Sequence, residues 1–383
     1  MAAPDTALRP SGKRPKDRKA QIAAAAAAQF RELGYPRVGV EDIAAAVGIT
    51  GRAIYRHFDT KQALLSHLVF EGLARFEAAS ASSGDLADVV DALTAVALDQ
   101  RHLGVLLVRE TRHLAVSEQA EVVRRTDAVV DQLTALLQTH RPEVHADEAE
   151  FLTRCTLSLL ASPSHHHVSV AGAERLLAAM AVATLDAPLQ PGVESTPPPA
   201  GVERASRRET VIAAAVERFG RRGYDAVRME DVGAAAGIAG PSIYEHFDSK
   251  ADLLMSVLTR GAEWLQLGLA TSIVPGAPAA ESLERVVRSY LSFAVEHRDL
   301  MRVFLREANN LPDAERSTLR RVQHDYVAEW VRLLRVARPE LTEEEAWFVT
   351  HGGISIVNET VEATRRFDLI EVAMAVLLPG RIR

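Results

Sequence analysis

Gly48-Ile49-Thr50-Gly51-Arg52-Ala53-Ile54-Tyr55-Arg56-His57-Phe58-Asp59-Thr60-Lys61 decides the reading of this chain, because nearly the same words return as Gly237-Ile238-Ala239-Gly240-Pro241-Ser242-Ile243-Tyr244-Glu245-His246-Phe247-Asp248-Ser249-Lys250. Phe30 and Phe219, Gly34 and Gly223, Asp42 and Asp231, and Lys61 and Lys250 all stand 189 residues apart. Farther on, Leu106-Leu107-Val108-Arg109-Glu110 answers to Val303-Phe304-Leu305-Arg306-Glu307, and Arg141-Pro142-Glu143 to Arg338-Pro339-Glu340, at an offset of 197. A repeat of this length fixes the architecture before any single element is assigned. The chain is a tandem duplication, and copy two carries a short insertion, placed near Pro275-Gly276-Ala277-Pro278.

Within copy one, Asp17 to Leu33 reads as a helix stopped at Gly34, and Val40 to Val47 as a short helix stopped at Gly48, since glycine accepts the positive φ of a helix end. Thr50 is placed to cap a third helix reaching about His57, and Asp59 or Thr60 a fourth beginning near Lys61. Short helix, tight turn, short helix is the helix-turn-helix plan. Alanine, leucine and valine at helix-face spacing continue through Lys61–Phe76, Val122–Leu137 and Glu148–Leu160, and strand-like alternation is scarce, so the fold class is all-α.

The block from about residue 18 to 66 resembles the DNA-binding domain of the TetR family of bacterial transcriptional regulators. The resemblance rests on Phe30, Gly34, Tyr35, Val40, Asp42, Ile43, Ala44, Val47, Gly48, Ile49, Tyr55, His57, Phe58, Lys61, Leu64 and Leu65, and again on Phe219, Gly223, Tyr224, Met229, Asp231, Val232, Gly237, Ile238, Tyr244, His246, Phe247, Lys250, Leu253 and Leu254. It implies two tandem units, each a helix-turn-helix head followed by a helical ligand-binding and dimerisation body, folded as an intrachain pseudo-dimer. The chain also looks like the double-TetR regulators of actinobacteria that control lipid or sterol uptake and breakdown. The expected organisation is a basic arm at 1–16, head one at 17–66, body one at 67–187, a linker at 188–203, head two at 204–255 and body two at 256–383. The linker is placed by the proline-rich run from Pro188 to Pro199.

A recognition helix in the major groove offers side chains to base edges, while cations and helix N-termini hold phosphates. In copy one the candidates are Thr50, Arg52, Ala53, Tyr55, Arg56 and His57, with Lys61 meeting a phosphate at the next helix start, and Lys13, Arg14, Lys16 and Arg18 forming an arm for the minor groove. In copy two they are Arg207, Arg208, Ser242, Tyr244, His246 and Lys250. There Pro241, Ser242 and Glu245 replace Arg52, Ala53 and Arg56, so the two heads are expected to read different half-sites, and Pro241 is tolerated in a first helical turn. The chain carries a formal charge of −7, but residues 1–61 hold 11 Lys and Arg against 6 Asp and Glu, whereas residues 203–250 hold 8 of each. The basic footprint is therefore local and belongs mainly to head one.

For the bodies the expectation is a small apolar effector of lipid, acyl-CoA or sterol kind, held mainly by copy two at Trp264, Phe304, Asn309, Tyr326, Trp330 and Trp347. Arg109-Glu110 and Arg306-Glu307 are expected to serve as ion pairs on a helix surface or between helices, with ligand contact the alternative, and His165-His166-His167 to form a polar helix end rather than a metal site, since adjacent helical residues diverge by about 100°. Cys155 is the only cysteine, excluding a disulfide framework and a cysteine metal cluster. Phosphate loops and hydrolase or metalloprotease motifs do not occur, so neither catalysis nor a cofactor is expected. With no apolar run long enough for a bilayer and no signal segment, a cytoplasmic protein free of membrane partners is expected. The competing expectation is a ligand-binding or interaction protein in which only the first head binds DNA and the second copy completes the pseudo-dimer as a scaffold.

Overall fold

The computed structural model describes residues 15–191, 206–238, 240–360 and 367–380, with side chains placed over 18–191, 206–238, 242–358 and 367–380. Lys13, Arg14, the side chain of Lys16, residues 192–203 of the linker and residues 204–205 of head two lie outside the described residues. No β-strand forms among the described residues; extended backbone pairs only in an isolated antiparallel bridge between Pro191 and Phe367.

Head one comprises α1 (Pro15–Leu33), α2 (Val40–Val47) and α3 (Gly51–Ile54), and leads into the long α4 (Lys61–Ser80). Gly34 and Gly48 take φ of 84° and 70°, which is why the first two helices stop where they do. Thr60 caps α4 by accepting from the Ala63 amide at 2.9 Å. Thr50 stands at the N-cap of α3 without a side-chain cap bond, and α3 itself closes at Ile54, shorter than the helix expected to His57. Body one continues through α5 (Leu86–Asp99), α6 (Leu103–Val105), a π-helical turn at Leu106–Glu110, a 3-10 turn at Thr111–His113, α7 (Val116–His140), α8 (Ala146–Ala161) and α9 (Ala173–Leu185).

Copy two repeats the series as α10 (Arg207–Arg222), α11 (Met229–Ala235), a 3-10 segment at Gly240–Glu245, α12 (Lys250–Ser272), α13 (Ala279–Glu296), α14 (Arg298–Arg306), α15 (Asp313–Ala337), α16 (Glu343–Thr360) and α17 (Leu369–Leu377). Pro241 sits in the 3-10 segment that replaces the α-helical turn of copy one, so the α-helix expected to survive there does not. The inserted residues are spread along a hairpin. Relative to copy one, α12 runs three residues farther, its loop is one longer and α13 begins four earlier, which accounts for the change of offset from 189 to 197.

The bodies meet through equivalent helices, α8 along α16 and α9 along α17. One apolar core runs through both bodies and head two, while head one has a core of its own around Ile22, Phe30, Ile43, Ile54, Phe58 and Leu65. A single position explains much of this difference. At Gly220, α10 packs directly on α14, so closely that a Cβ would stand 2.6 Å from the Asp299 carbonyl oxygen. The equivalent residue of α1 is Arg31, whose guanidinium instead spans to the carbonyls of Ser164 at 2.8 Å, Pro163 at 3.3 Å and His166 at 2.5 Å. Head two thus meets α14 by direct approach of the helices at Gly220, where head one is held by the hydrogen bonds of Arg31.

Candidate nucleic-acid interface and effector cavity

The two heads present the same alternation. Ile54 and Phe58, like Ile243 and Phe247, are buried and anchor the motif to its head. Between them Tyr55 is 51% exposed and Tyr244 50%, against the usual burial of a tyrosine body, and Arg52 and Arg56 stand in solvent beside Tyr55. Thr50 is exposed, and Ala53, His57, Ser242 and His246 are half-buried. Gly51 N–H donates to Glu41 Oε2 at 3.2 Å, which fixes the turn from α2 into α3, and a Cβ at Gly51 would collide with that carboxylate. Glu245 is exposed where copy one has Arg56, so the second surface is acidic at a position where the first is basic.

Several cations expected at phosphates have internal work. The Lys61 ammonium turns inward, donating to the carbonyls of Tyr35 and Val38 at 2.8 Å each and lying 4.1 Å from the Tyr35 ring centre. Burial, opposed by Glu110, lowers its pKa. Lys250 repeats the ring contact, 4.0 Å from the Tyr224 ring centre. Arg18 donates to the Val47 carbonyl at 3.3 Å, tying α1 to α2. Arg208 lies 4.8 Å from the Phe247 ring and donates to Ser256 Oγ at 3.1 Å, matching Lys19, which lies 5.1 Å from Phe58. Arg207 remains exposed. These contacts hold the helices of each head together, with Arg208 also reaching Ser256 on α12, a role that sequence spacing does not separate from phosphate contact.

Body two contains a cavity of about 220 Å³, lined among others by Phe304, Met301, Leu265, Tyr290, Tyr326 and Ile354. Its polar end is set by Tyr290, whose hydroxyl donates to Asn358 Oδ1 at 2.5 Å; burial pushes both the Tyr290 and Tyr326 hydroxyls up from the ordinary tyrosine pKa, so both stay protonated. The corresponding space in body one is about 80 Å³. Phe304 and Tyr326 line this cavity, and three of the aromatic candidates are elsewhere. Trp264 is 39% exposed and lies tilted against His297, 4.4 Å between ring centres, in a separate surface cleft. Trp330 is fully buried and packs edge-on against Tyr290, behind the wall rather than in it. Trp347 stacks on His324 at 4.7 Å and, with Asn309, lines a second, wider cleft between the copies. Met301, Tyr290 and Asn358 complete the cavity, and only Tyr290 had an aromatic signal by which sequence reasoning could find it.

The recurring Arg-Glu pairs sit at the junctions of head and body, and the ion pair formed there by Glu307 is with Arg112. Glu110 and Glu307 are 2% and 1% exposed. Glu307 is held by Arg112 of copy one, Nη1 to Oε1 at 2.5 Å and Nη2 to Oε2 at 3.3 Å, beside Gly223 where head two joins its body. Arg109 pairs instead with the Arg31 carbonyl at 2.9 Å. At the matching junction of head one, Glu110 and Asn309 of copy two flank Gly34, and burial raises the Glu110 pKa against the pull of Arg109. Each head-body junction therefore receives a side chain from the opposite copy. His165, His166 and His167 follow the 3-10 turn at Ser162–Ser164 and face the cleft between the copies; among the described residues no three His, Cys, Asp or Glu side chains are grouped to hold a metal ion. Cys155 is buried. Among the described residues no helix is long and apolar enough to cross a membrane.

The family described as bacterial regulatory proteins, tetR family, matches residues 22–68 and again 211–257, and a tetracyclin repressor-like C-terminal domain matches 276–362. The HTH-type transcriptional activator FasR of Mycolicibacterium smegmatis is 33% identical over 94 residues, 24% of this chain and 42% of that protein. The HTH-type transcriptional repressor KstR2 of the same organism is 35% identical over 112 residues, 28% of this chain and 53% of that protein. The chain spans about half the length of the curated relatives it matches. A TetR-family regulator from Bordetella parapertussis aligns with a TM-score of 0.43 at 22% identity, covering 46% of this chain and 97% of that one. With the DNA-binding unit matched in both copies and a C-terminal domain matched in the second, the chain belongs to the TetR family of transcriptional regulators and carries its helix-turn-helix head twice.

Proposed function

We propose that one chain acts as a fused pair of regulators, a repressor without enzymatic activity that binds a non-palindromic operator through two unlike heads and leaves it when a small apolar effector fills body two. The observation that carries this reading is the shared presentation of Tyr55 and Tyr244, each about half exposed between buried isoleucine and phenylalanine anchors, on heads whose neighbouring side chains differ. A homodimer reads a palindrome because its symmetry imposes one; a fused pair with Arg52 and Arg56 on one head and Ser242 and Glu245 on the other is released from that constraint. The packing of α8 on α16 and α9 on α17 supports a pseudo-dimer within the chain. The larger apolar cavity of copy two supports an effector of lipid, acyl or sterol class in that body. Effector binding need only favour a head arrangement that misfits the two grooves.

A second reading is supported by Glu245, exposed on the 3-10 segment of head two: only head one grips DNA and copy two is its scaffold. Binding to DNA upstream of the gene, measured at fixed salt because phosphate contacts make affinity salt-dependent, separates the two. The fused-reader account expects losses from both Arg52→Ala/Arg56→Ala and Tyr244→Ala. Full affinity after Tyr244→Ala would select the scaffold reading.

A further inference from the structure

The wide cleft between the copies holds donor atoms left over after its arginines have made their bonds: Arg109 Nη2 donates to the Arg31 carbonyl at 2.9 Å and Arg316 Nη2 to Asp313 at 2.7 Å. It measures about 780 Å³ and is walled by α1 of head one, the loop after α8 and α15 of body two. Four side-chain nitrogens on this wall are buried without a hydrogen-bond partner: Arg109 Nε, Arg316 Nη1, Asn309 Nδ2 and His166 Nε2. A guanidinium offers only donors, and so does an amide nitrogen. His166 Nδ1 accepts the Val168 amide at 3.2 Å, so the proton of its neutral ring sits on Nε2. Burial keeps that ring neutral, with its pKa pushed down to about 2. Arg316 is 9% exposed and His166 5%, which shuts bulk solvent away from both.

Unmatched buried donors ask for an acceptor-rich ligand. Arg109 comes from the π-helical turn Leu106–Glu110, a local irregularity of the kind that places side chains for binding; the equivalent Arg306 lies at the end of the regular α14. Of the carboxylates lining the cleft, Glu32 meets Arg320 at 3.3 Å and His167 at 3.1 Å and Glu343 meets Arg335 at 3.4 Å, while Glu344 stands in solvent; Glu110, whose charge acts on Arg109, keeps one buried oxygen without a hydrogen-bond partner. The cleft also shares Phe304, Leu305, Gln323, Val327 and His351 with the apolar cavity, so the two spaces adjoin.

We propose that this cleft binds the phosphoryl group of an amphipathic effector, held by Arg109 and Arg316, with its apolar chain in the adjoining cavity. The inference rests on the reading of that cavity as the effector site. Because α1 contributes Arg31 and Glu32 to the cleft, whereas α10 contributes nothing to it, a ligand of body two acts on head one.

Calorimetry on the full chain with n-octyl phosphate, 1-octanol and inorganic pyrophosphate tests the assignment. Octyl phosphate should bind about tenfold or more tighter than octanol, since bonds to a charged acceptor are the strong ones. Arg109→Gln and Arg316→Gln should each abolish that preference and leave octanol binding unchanged; Asn309→Leu, which disturbs no ion pair, should weaken the preference even if an arginine variant folds poorly. Equal affinity for octyl phosphate and octanol, or a preference intact in all three variants, overturns the proposal. Octanol binding alone would leave the apolar-effector reading standing, whereas pyrophosphate binding that is lost in the variants, without octanol binding, would keep the anion site and sink the apolar one. Octyl phosphate should slow amide exchange in α1 more than in α10; equal change in the two helices would overturn the coupling to head one.

Discussion

Ser158 and Ser355, equivalent residues of the two copies, touch each other: Ser355 Oγ donates to the Ser158 carbonyl at 2.9 Å. Equivalent residues meet only where a two-fold axis passes, so this bond places a local pseudo-symmetry axis between α8 and α16. Gly352, one turn earlier on α16, makes the approach possible; a Cβ there would stand 2.3 Å from Met180 Cε and 2.7 Å from Leu159 Cδ1 of copy one. Gly352→Val should therefore cost about 1–3 kcal/mol by overpacking, read as a lower midpoint in urea. An unchanged midpoint would mean that the copies do not pack this closely.

Arg112 and Glu307 make the next test. Removing the cation strands a carboxylate that is 1% exposed, so Arg112→Gln should destabilise the chain by about 3–5 kcal/mol, while Arg112→Gln with Glu307→Gln should recover a large part of that. A double-mutant cycle by chemical denaturation measures it. Additive losses would show that the two side chains are not paired across the copies.

Lys61 separates a structural cation from a phosphate contact. Loss of its two bonds to the Tyr35 and Val38 carbonyls should cost about 1.5–3 kcal/mol of stability in Lys61→Met. The dependence of operator affinity on salt should stay as in the parent, since a true phosphate contact would lower the slope by about 0.9. A lowered slope with unchanged stability would restore the phosphate role.

His166 gives stability a pH dependence. Its ring, kept neutral first by burial and then by His351 and Arg101, has a pKa near 2, whereas an unfolded histidine titrates near about 6.5. Below that value the unfolded chain takes up a proton that the folded chain refuses, so stability is present above about pH 6.5 and is lost on acidification by up to about 1.4 kcal/mol per pH unit for this residue. His351, lowered to about 4 by burial and then His324, adds in the same direction. Thermal melts from pH 7.5 to 5 should fall, and fall less steeply in His166→Gln. Parallel curves for the two proteins would contradict this.

The heads were legible residue by residue because their requirements are local. Gly34 and Gly48 need positive φ, Thr60 needs only the amide three residues on, and Ile54 and Phe58 need only helical spacing to bury themselves. The direction of Lys61 was not legible, since one spacing suits both a phosphate and two carbonyls. Nor can aromatic content tell a cavity wall from the core behind it: Phe304 and Tyr326 line the cavity, while Trp330 packs behind it and Trp264 lies in a surface cleft. The cross-copy bonds of Arg112 join residues 195 apart and carry no local pattern. Arg31 against Gly220 was visible in the repeat all along, but its consequence depends on how closely a helix can approach its body.

The central claim is that one chain holds two working, unlike heads. Footprinting of the full-length protein on its own upstream DNA, with the mass of the complex determined in solution, tests it most directly. The account predicts one chain protecting a single non-palindromic site that spans two successive major-groove contacts. Two chains on a palindrome, each protecting one half-site, would contradict it and leave the second copy a scaffold.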